Sequence, residues 1–262
     1  MSRYDFRSPR LYIEGALASS GTITLDRKQA HYLRNVLRLK AEDKVLVFNG
    51  RDGEWRAAYS PSGKGATLAV QEQVREQPPS VDLHYLFAPL KHERLDYMVQ
   101  KAVEMGVSRL QPLLTQHTQV QRINLDRMRA NAIEAAEQCG ILAVPEISPP
   151  IPFARMIAAR KPDRLLVFCD EGADIANPIA ALSDVRVAPN AILPLLTGID
   201  RSKTEPLAVL VGPEGGFADE ERAALLKQPN IVRLSLGPRI LRADTAAVAA
   251  LALVQSVLGD WR

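Results

Sequence analysis

Three short glycine-containing loops in the C-terminal half of the chain carry the residues best suited to bind a ligand. One is Gly212-Pro213-Glu214-Gly215-Gly216, another holds Glu171 next to Gly172, and the last runs Gly237-Pro238-Arg239-Ile240-Leu241-Arg242. Glycine lets the backbone approach a ligand closely and adopt positive φ. The loops lack the Gly-Lys-Ser/Thr end of a phosphate-binding loop and the glycine spacing of a dinucleotide fingerprint. One such loop alone would suggest a tight turn, but three together predict one pocket lined by backbone amides and carbonyls.

Each loop follows a short apolar run that predicts a buried parallel strand. The runs are Leu165–Cys169, Leu207–Val211 and Ile231–Leu236, and continuous apolar segments of this length are typical of strands covered on both faces. In an open α/β sheet, ligands bind beyond the carboxyl ends of the strands. The three loops are therefore expected to meet at one edge of a sheet.

The surrounding pattern alternates strands and helices, which predicts an α/β domain. We expect further strands at Val81–Phe87 and Arg109–Leu114. We also expect helices at Glu93–Glu104, Leu125–Cys139, Asp219–Lys227 and Asp244–Leu258. The first helix ends at Gly106 and has an apolar face that should be buried, formed by Leu95, Met98, Val99, Ala102 and Val103. Asn124 is the expected cap of the second helix. The last helix is apolar on nearly every face and must be buried all round, within the domain or in a subunit interface. Residues 173–205 show no clear pattern.

The N-terminal part differs in pattern and in charge. Short extended segments separated by turn residues predict a small β-barrel-like module. The expected strands are Leu11–Ile13, Thr22–Leu25, Lys44–Phe48, Trp55–Tyr59 and Thr67–Val74. One helix, Asp26–Leu37, is expected among them, with Asp26 as its N-cap. The proline-rich segment Glu76–Ser80 predicts a linker, so we expect domains at 1–75 and 81–262. Residues 1–75 carry 13 Lys and Arg against 8 Asp and Glu. Such a basic domain suits a polyanion such as RNA, although a solvated surface would have the same charge.

Composition excludes several classes of protein. The two cysteines, Cys139 and Cys169, are isolated in the sequence, which argues against a disulfide framework and a zinc cluster. The longest apolar run, Ala246–Val254, is far too short to span a bilayer. The charged N-terminus has no apolar signal-peptide region. A cytoplasmic protein without metal or membrane association is expected.

Two long motifs carry a resemblance to a known family. "LVGPEGGFADEE" and "LSLGPRILRADTAAVAAL" resemble the signature of the 16S rRNA (uracil-N3)-methyltransferase family, within the knotted SPOUT superfamily. The segments "PRLYI", "HYLRNVLRLKAEDKVLVFNG", "KHERLDYMVQKAVEMGV" and "EAAEQCG" are similar to family segments in the same order, so the resemblance covers essentially the whole chain. It implies a PUA-like RNA-binding domain, followed by a SPOUT methyltransferase domain with a C-terminal trefoil knot. It further implies a homodimer that binds S-adenosylmethionine (AdoMet) and methylates N3 of a uridine in the decoding region of 16S rRNA in the small ribosomal subunit.

The resemblance also implies roles for individual residues. Arg242 is the expected catalytic residue, because a permanent cation can stabilise the uracil anion formed when N3 loses its proton. A bridge from Arg242 to Asp244 or to a backbone carbonyl is the structural alternative. Asp244 itself is expected to cap the last helix rather than act as a base. Arg27, Arg34 and Arg38 have spacings of seven and four on the predicted helix, so they can share one face. The expected cofactor contacts are Glu171, Gly212, Glu214, Gly215, Gly216, Ser235, Leu236, Gly237, Ile240, Leu241, Arg242 and Thr245, and the expected RNA contacts are Arg10, Arg27, Arg34 and Arg38.

Some positions depart from the family pattern. Asp244 stands where the family usually has glutamate, and Met105 replaces a usual leucine. His117 and Ile141 occupy positions where arginine is common, which puts one patch of RNA contact in doubt. Two rival functions remain open, a SPOUT ribose 2′-O-methyltransferase and a non-catalytic RNA-binding factor of ribosome assembly. A nicotinamide-dependent dehydrogenase ranks below both, because the required glycine fingerprint is missing.

Overall fold

The chain folds into two compact units. A computed structural model describes residues 5, 7–63, 65–79, 81–120, 122–174, 177–187 and 206–261. One unit comprises Met1–Pro79 and Ile133–Val144, and the other comprises Ser80–Ala132 and Pro145–Arg262.

The first unit is built on one five-stranded sheet. Its strands are β1 (Arg10–Tyr12), β2 (Thr22–Thr24), β3 (Lys44–Phe48), β4 (Glu54–Ser62) and β5 (Gly65–Arg75). Their order is β1-β3-β4-β5-β2, and all neighbours are antiparallel except β1 and β3. Alternate residues such as Val45, Val47 and Tyr59 are fully buried in one core, as the two-residue period of a strand requires. The predicted strands are confirmed.

A short helix, α1 (Arg27–His31), packs on this sheet and changes character part-way along. Asp26 Oδ1 accepts a hydrogen bond from the Gln29 amide (2.8 Å), and Gln29 Oε1 accepts one from the Asp26 amide (3.2 Å), a capping box that confirms Asp26 as the N-cap. The predicted continuation as an α-helix to Leu37 is wrong, because Tyr32–Val36 forms a π-helical turn. Its signature is the bond from the Leu37 amide to the Tyr32 carbonyl (3.0 Å).

The π-helical turn separates the three arginines that were expected to share a helix face. Arg27 lies in α1, Arg34 in the π turn, and Arg38 beyond the helix with φ of 57°. Spacings of seven and four align side chains only while the α-helical period holds. The prediction of one helical face was therefore wrong.

A buried carboxylate ties three strands of the first unit together. Glu54 in β4 accepts hydrogen bonds from Arg10 Nε (2.9 Å) and Arg75 Nε (2.8 Å). The side chains of Arg10 and Glu54 are only 5% and 2% exposed. A buried charge is tolerated when it is paired in this way, so Arg10 serves the fold of its own domain.

The second unit is built on a parallel sheet. Its strands are β6 (Leu83–Phe87), β7 (Arg109–Leu114), β8 (Glu146–Ile147), β9 (Ile151–Pro152), β10 (Leu165–Cys169), β11 (Leu207–Val211) and β12 (Ile231–Leu234). They run in the order β12-β10-β11-β6-β7-β8, with β9 paired to β7. All pairs are parallel, as the apolar runs predicted. The last strand ends at Leu234, two residues earlier than expected, so Ser235 and Leu236 belong to the following loop.

The remaining helices are α2 (His92–Glu104), α3 (Leu125–Cys139), α4 (Phe153–Ala159), α5 (Pro178–Val187), α6 (Asp219–Leu226) and α7 (Ala243–Val257). The five apolar residues predicted for the inner face of α2 are all buried. Gly106 ends that helix with φ of 78°, and Asn124 Oδ1 caps α3 through the Arg127 amide (3.0 Å). The strands β8 and β9 and the helices α4 and α5 were not predicted. Part of the unpatterned segment, residues 188–205, lies outside the described residues, and the trefoil threading stays a prediction.

The helix α7 is only partly covered within the chain. Ala247, Ala250, Leu251 and Val254 are buried against the sheet and α2, whereas Val248, Ala249, Ala252, Leu253, Val257 and Leu258 are half-buried. The expectation of burial all round is therefore not met by the single chain. Within the described residues, no helix has the length and apolar character needed to cross a membrane.

Candidate functional site at the ends of three parallel strands

A cavity of about 690 Å³ lies where β10, β11 and β12 end. These strands are neighbours in the sheet, with β10 between the other two. Because parallel strands present their carboxyl ends at one edge, the loops that follow them converge there. All three predicted loops contribute to the wall, which includes Cys169–Gly172, Gly212–Glu214, Gly216–Phe217 and Leu234–Ala243.

The cavity brings together most of the residues expected to contact the cofactor. Gly215 and Thr245 are the two exceptions. The members of the predicted set that line the wall are Glu171, Gly212, Glu214, Gly216, Ser235, Leu236, Gly237, Ile240, Leu241 and Arg242.

Gly212 is required by packing inside the protein. A methyl group on its α-carbon would lie 2.6 Å from Cε2 of Phe217, well inside contact distance. The Phe217 ring packs against Phe168 with centroids 5.2 Å apart and against Phe153 with centroids 6.1 Å apart. The ring therefore has little freedom to move, and it holds the loop after β11 down onto the core.

Gly216 and Gly237 have a different reason to be glycine. Their φ angles are 70° and 96°, in the region that side chains disfavour. A Cβ atom built on either residue meets no atom within 4 Å. Both residues thus present bare backbone to open space on the cavity wall, as close approach of a ligand requires.

Asp170 anchors one side of the cavity. Its buried carboxylate accepts hydrogen bonds from Arg222 (Nε–Oδ1, 3.0 Å) and Arg233 (Nε–Oδ2, 2.7 Å), as well as from the Gly172 amide (3.1 Å). Burial alone would raise the pKa of this carboxyl, but the two arginines outweigh that effect and lower the pKa. The carboxylate stays ionised and fixes the loop that carries Glu171.

A second ion-pair network joins the loop after β11 to the first turn of α7, the helix that follows the loop after β12. Arg94 in α2 donates from Nε and Nη2 to both oxygens of Asp244, at 3.1 and 3.0 Å, and from Nη1 to Glu214. The hydrogen bonds from Arg94 hold the pKa of Asp244 below its ordinary value and raise the pKa of Arg94 itself. Sequence reasoning missed Arg94, since its partners lie more than a hundred residues away along the chain.

This network changes the roles expected for Arg242 and Asp244. Asp244 pairs with Arg94 rather than with Arg242, so the alternative of an Arg242–Asp244 bridge is not formed among the described contacts. Arg242 rather than Asp244 occupies the N-cap position of α7, although Asp244 Oδ1 does accept a hydrogen bond from the Thr245 amide (2.9 Å). The Arg242 side chain is exposed on the cavity wall, where its guanidinium can reach a ligand.

Gly215, which does not line the cavity, faces a turn that packs on the back of its loop. His117 Nδ1 lies 3.1 Å from the carbonyl oxygens of both Gly215 and Gly216. Carbonyl oxygens only accept, so Nδ1 carries the proton. The same turn donates the Gln116 amide to Glu221 (2.9 Å). His117 thus holds the glycine loop in place, whereas the sequence had linked its position to RNA contact.

The chemistry of the wall suits a ligand with both cationic and carbonyl groups. The carboxylates of Glu171 and Glu214 can receive positive charge, and the arginines Arg239 and Arg242 can donate to oxygens. Backbone groups of Gly216 and Gly237 are free to approach. Among the described residues, no cluster of three or more His, Cys, Asp or Glu side chains could hold a metal ion.

Family models match both parts of the chain. An RNA methyltransferase domain matches residues 76–255, and an RNA methyltransferase PUA domain matches residues 25–71. The ribosomal RNA small subunit methyltransferase E of Rickettsia conorii is 32% identical over 248 residues, which cover 94% of each chain.

Two solved structures are similar along nearly the whole chain. A Legionella pneumophila methyltransferase in complex with SAM has a TM-score of 0.78 and 26% identity, covering 95% of this chain and 98% of its own. A ribosomal RNA small subunit methyltransferase E from Neisseria gonorrhoeae, bound to S-adenosyl methionine, has a TM-score of 0.80 and 24% identity, covering 98% and 100%. At 24% identity, the similarity to the second structure establishes a shared fold.

The packing of Gly212 against Phe217 gives a testable expectation. We expect Gly212→Ala to lower the free energy of unfolding by about 1–3 kcal/mol, the usual cost of overpacking a tight core. Urea unfolding followed by circular dichroism measures this loss. In a Phe217→Leu background the same substitution should cost clearly less, since the clashing ring is gone. Equal costs in the two backgrounds would contradict the assignment.

Proposed function

This chain belongs to the ribosomal RNA small subunit methyltransferase E family, and we propose that it transfers the methyl group of AdoMet to N3 of a specific uridine in the decoding region of 16S rRNA. The observation that carries this proposal is the cavity at the ends of β10, β11 and β12, walled by the two motifs that carry the family resemblance. The substrate is the small ribosomal subunit or its RNA, and the reaction takes place in the cytoplasm.

The cavity fits AdoMet in size and in chemistry. A volume of about 690 Å³ lies within the range of small-molecule sites, roughly 300–1,000 Å³. The bare backbone at Gly216 and Gly237 can approach the flat adenosine part, and the exposed carboxylate of Glu171 can pair with the ammonium group. When bound, AdoMet supplies the methyl group as an electrophile.

Arg242 carries the catalytic role in this proposal. N3 of uracil is a poor nucleophile until it loses its proton, and the resulting charge spreads onto O2 and O4. Arg242 projects from the cavity wall and is not committed to Asp244, so its guanidinium can donate to one of these oxygens. A permanent cation placed there stabilises the anion and lowers the barrier to methyl transfer.

Primer extension on small-subunit rRNA tests the function and this residue together. A methyl group on N3 blocks Watson–Crick pairing and stops reverse transcriptase, whereas a ribose methyl largely does not. We expect an AdoMet-dependent stop at one uridine with the wild-type protein. Arg242→Ala should slow its appearance roughly 100-fold, the usual effect of removing one anion-stabilising donor.

The matched control is Arg155→Ala, which removes an exposed arginine of α4 that does not line the cavity. It should retain most of the rate. An equal loss in both variants would argue against a special role for Arg242. Methyl incorporation without a stop would favour ribose methylation, and AdoMet binding without incorporation would favour a non-catalytic factor.

We further propose that exposed arginines of the first unit contact RNA phosphates. Arg27 and Arg38 are exposed beside Lys28 and Lys40. Arg10 is buried against Glu54, and Arg34 donates to the carbonyls of Gly63 and Gly65 at 2.8 and 2.6 Å. Arg27 and Arg38 are therefore the better candidates for positioning RNA without reading its sequence.

Arg27→Ala combined with Arg38→Ala should weaken RNA binding and reduce the slope of log affinity against log salt by roughly 1.4–1.8, since each phosphate contact contributes roughly 0.7–0.9. A filter-binding titration over several salt concentrations measures both quantities. Lys44→Ala combined with Arg51→Ala removes the same charge elsewhere on this unit and is the control. If both pairs lower the slope equally, the effect is one of net charge rather than of a docking face.

A homodimer is the assembly that we propose, and the half-buried stripe of α7 supports it. Val248, Ala249, Ala252, Leu253, Val257 and Leu258 offer apolar surface that a second copy can cover.

A glutamate in this stripe should dissociate such a dimer, because it would bury an unpaired charge. Sedimentation velocity at low micromolar concentration should show a dimer for the wild type and for Lys227→Glu, and a monomer for Leu253→Glu. A monomeric wild type would refute the proposal.

A further inference from the structure

The guanidinium of Arg94 connects one loop of the cavity, the loop after β11, to the first turn of α7. Its Nε and Nη2 atoms hold both oxygens of Asp244, and its Nη1 atom donates to Glu214. Glu214 lies in the loop after β11, and Asp244 lies in the first turn of α7, immediately after the loop that runs from Gly237 to Arg242. One side chain of α2 therefore bonds both the loop after β11 and the start of α7.

Arg94 itself does not line the cavity. Its side chain is 31% exposed, and that of Asp244 is 16% exposed, so the pair is partly withdrawn from water and less screened than a surface pair. The carboxylate of Asp244 also accepts a hydrogen bond from the Thr245 amide (2.9 Å). The carboxylate thus couples the position of Arg94 to the start of α7.

We propose that Arg94 is a positioning residue that clamps the Glu214 loop to the start of α7 and thereby sets the affinity of the cavity for AdoMet. This proposal rests on the proposed function for the identity of the ligand. The clamp acts through the loops, because Arg94 has no surface on the cavity wall.

The charges explain why an arginine is needed at this position. A guanidinium offers donors in a planar fork, so it can hold one carboxylate with two bonds and another with a third. Lysine is a single point charge on a flexible stem and cannot reproduce this geometry. Without Arg94 the carboxylates of Glu214 and Asp244 would face each other without a counter-charge, and their repulsion would separate the two loops.

Cofactor binding and loop protection test the clamp. Isothermal titration calorimetry with AdoMet should give a dissociation constant about tenfold higher for Arg94→Ala than for the wild type. Arg94→Lys should give an intermediate value. Hydrogen exchange of the cofactor-free protein should be faster in Arg94→Ala, both at residues 214–218 and at 239–247. Adding Asp244→Asn to Arg94→Ala should restore part of the affinity, since it removes the repulsion at a residue that does not line the cavity.

The matched control is Arg127→Ala, which breaks an Arg–Asp fork with Asp96 on the surface of the same unit. It should change neither the affinity nor the exchange of the two loops. In steady-state methylation, Arg94→Ala should raise KM for AdoMet while kcat at saturating AdoMet stays near that of the wild type. A fall in kcat alone would indicate a direct catalytic role and overturn the clamp.

The outcomes separate the clamp from the function on which it rests. Wild-type affinity and unchanged exchange in Arg94→Ala would overturn the clamp and leave the proposed function standing. Failure of the wild type to bind AdoMet would overturn the proposed function and the ligand named for the clamp. Faster exchange of both loops in Arg94→Ala would in that case still support the mechanical link between them.

Discussion

The parallel pairing of β10 with β11 and β12 is the constraint on which the site depends. Phe168 is in register with Leu210 on one side and with Arg233 on the other, so the three strands end at nearly the same level. Their loops consequently leave the sheet side by side and enclose one cavity. A register shift in either pair would move one loop away from the other two and leave the wall incomplete.

Convergence alone does not give the loops a fixed shape, and ion pairs and ring packing supply the rest. Asp170 with Arg222 and Arg233 holds the loop after β10, Phe217 presses the loop after β11 onto the core, and Arg94 joins that loop to the start of α7. Each of these restraints is a side-chain contact rather than a hydrogen bond within the loop backbone. Gly216 and Gly237 can therefore keep bare backbone open to the cavity while the loops stay well defined.

The first unit uses its charged residues in two distinct ways. Glu54 forms buried ion pairs with Arg10 and Arg75, which lie in different strands. Loss of one partner there would leave an uncompensated charge. Arg27 and Arg38 remain at the surface. The difference is not visible in composition, since the four arginines contribute equally to the net charge of residues 1–75.

The sequence by itself determined most of the longer elements and the family. Apolar runs predicted β10, β11 and β12, the periodicity of α2 predicted its buried face, and Asp26 and Asn124 were correctly identified as caps, because these signals are local and depend on a few neighbouring residues. Two long motifs then identified the family and the loops of the cavity. The short strands β8 and β9 and the helices α4 and α5 were missed, since brief segments carry too little periodicity to be distinguished from loops.

Only the tertiary structure decided which charges meet. Arg94 lies 120 residues from Glu214 and 150 from Asp244 along the chain, so no spacing rule could pair them. The sequence had offered Arg242 as the alternative partner of Asp244, and the fold supplies Arg94 instead. Arg10 and Arg27 look alike in the sequence, yet the fold buries one and exposes the other. The π-helical turn after α1 likewise broke a spacing argument that assumed a continuous α-helix. Side-chain partners depend on the packing of distant elements, and that packing is set by the whole core rather than by any local segment.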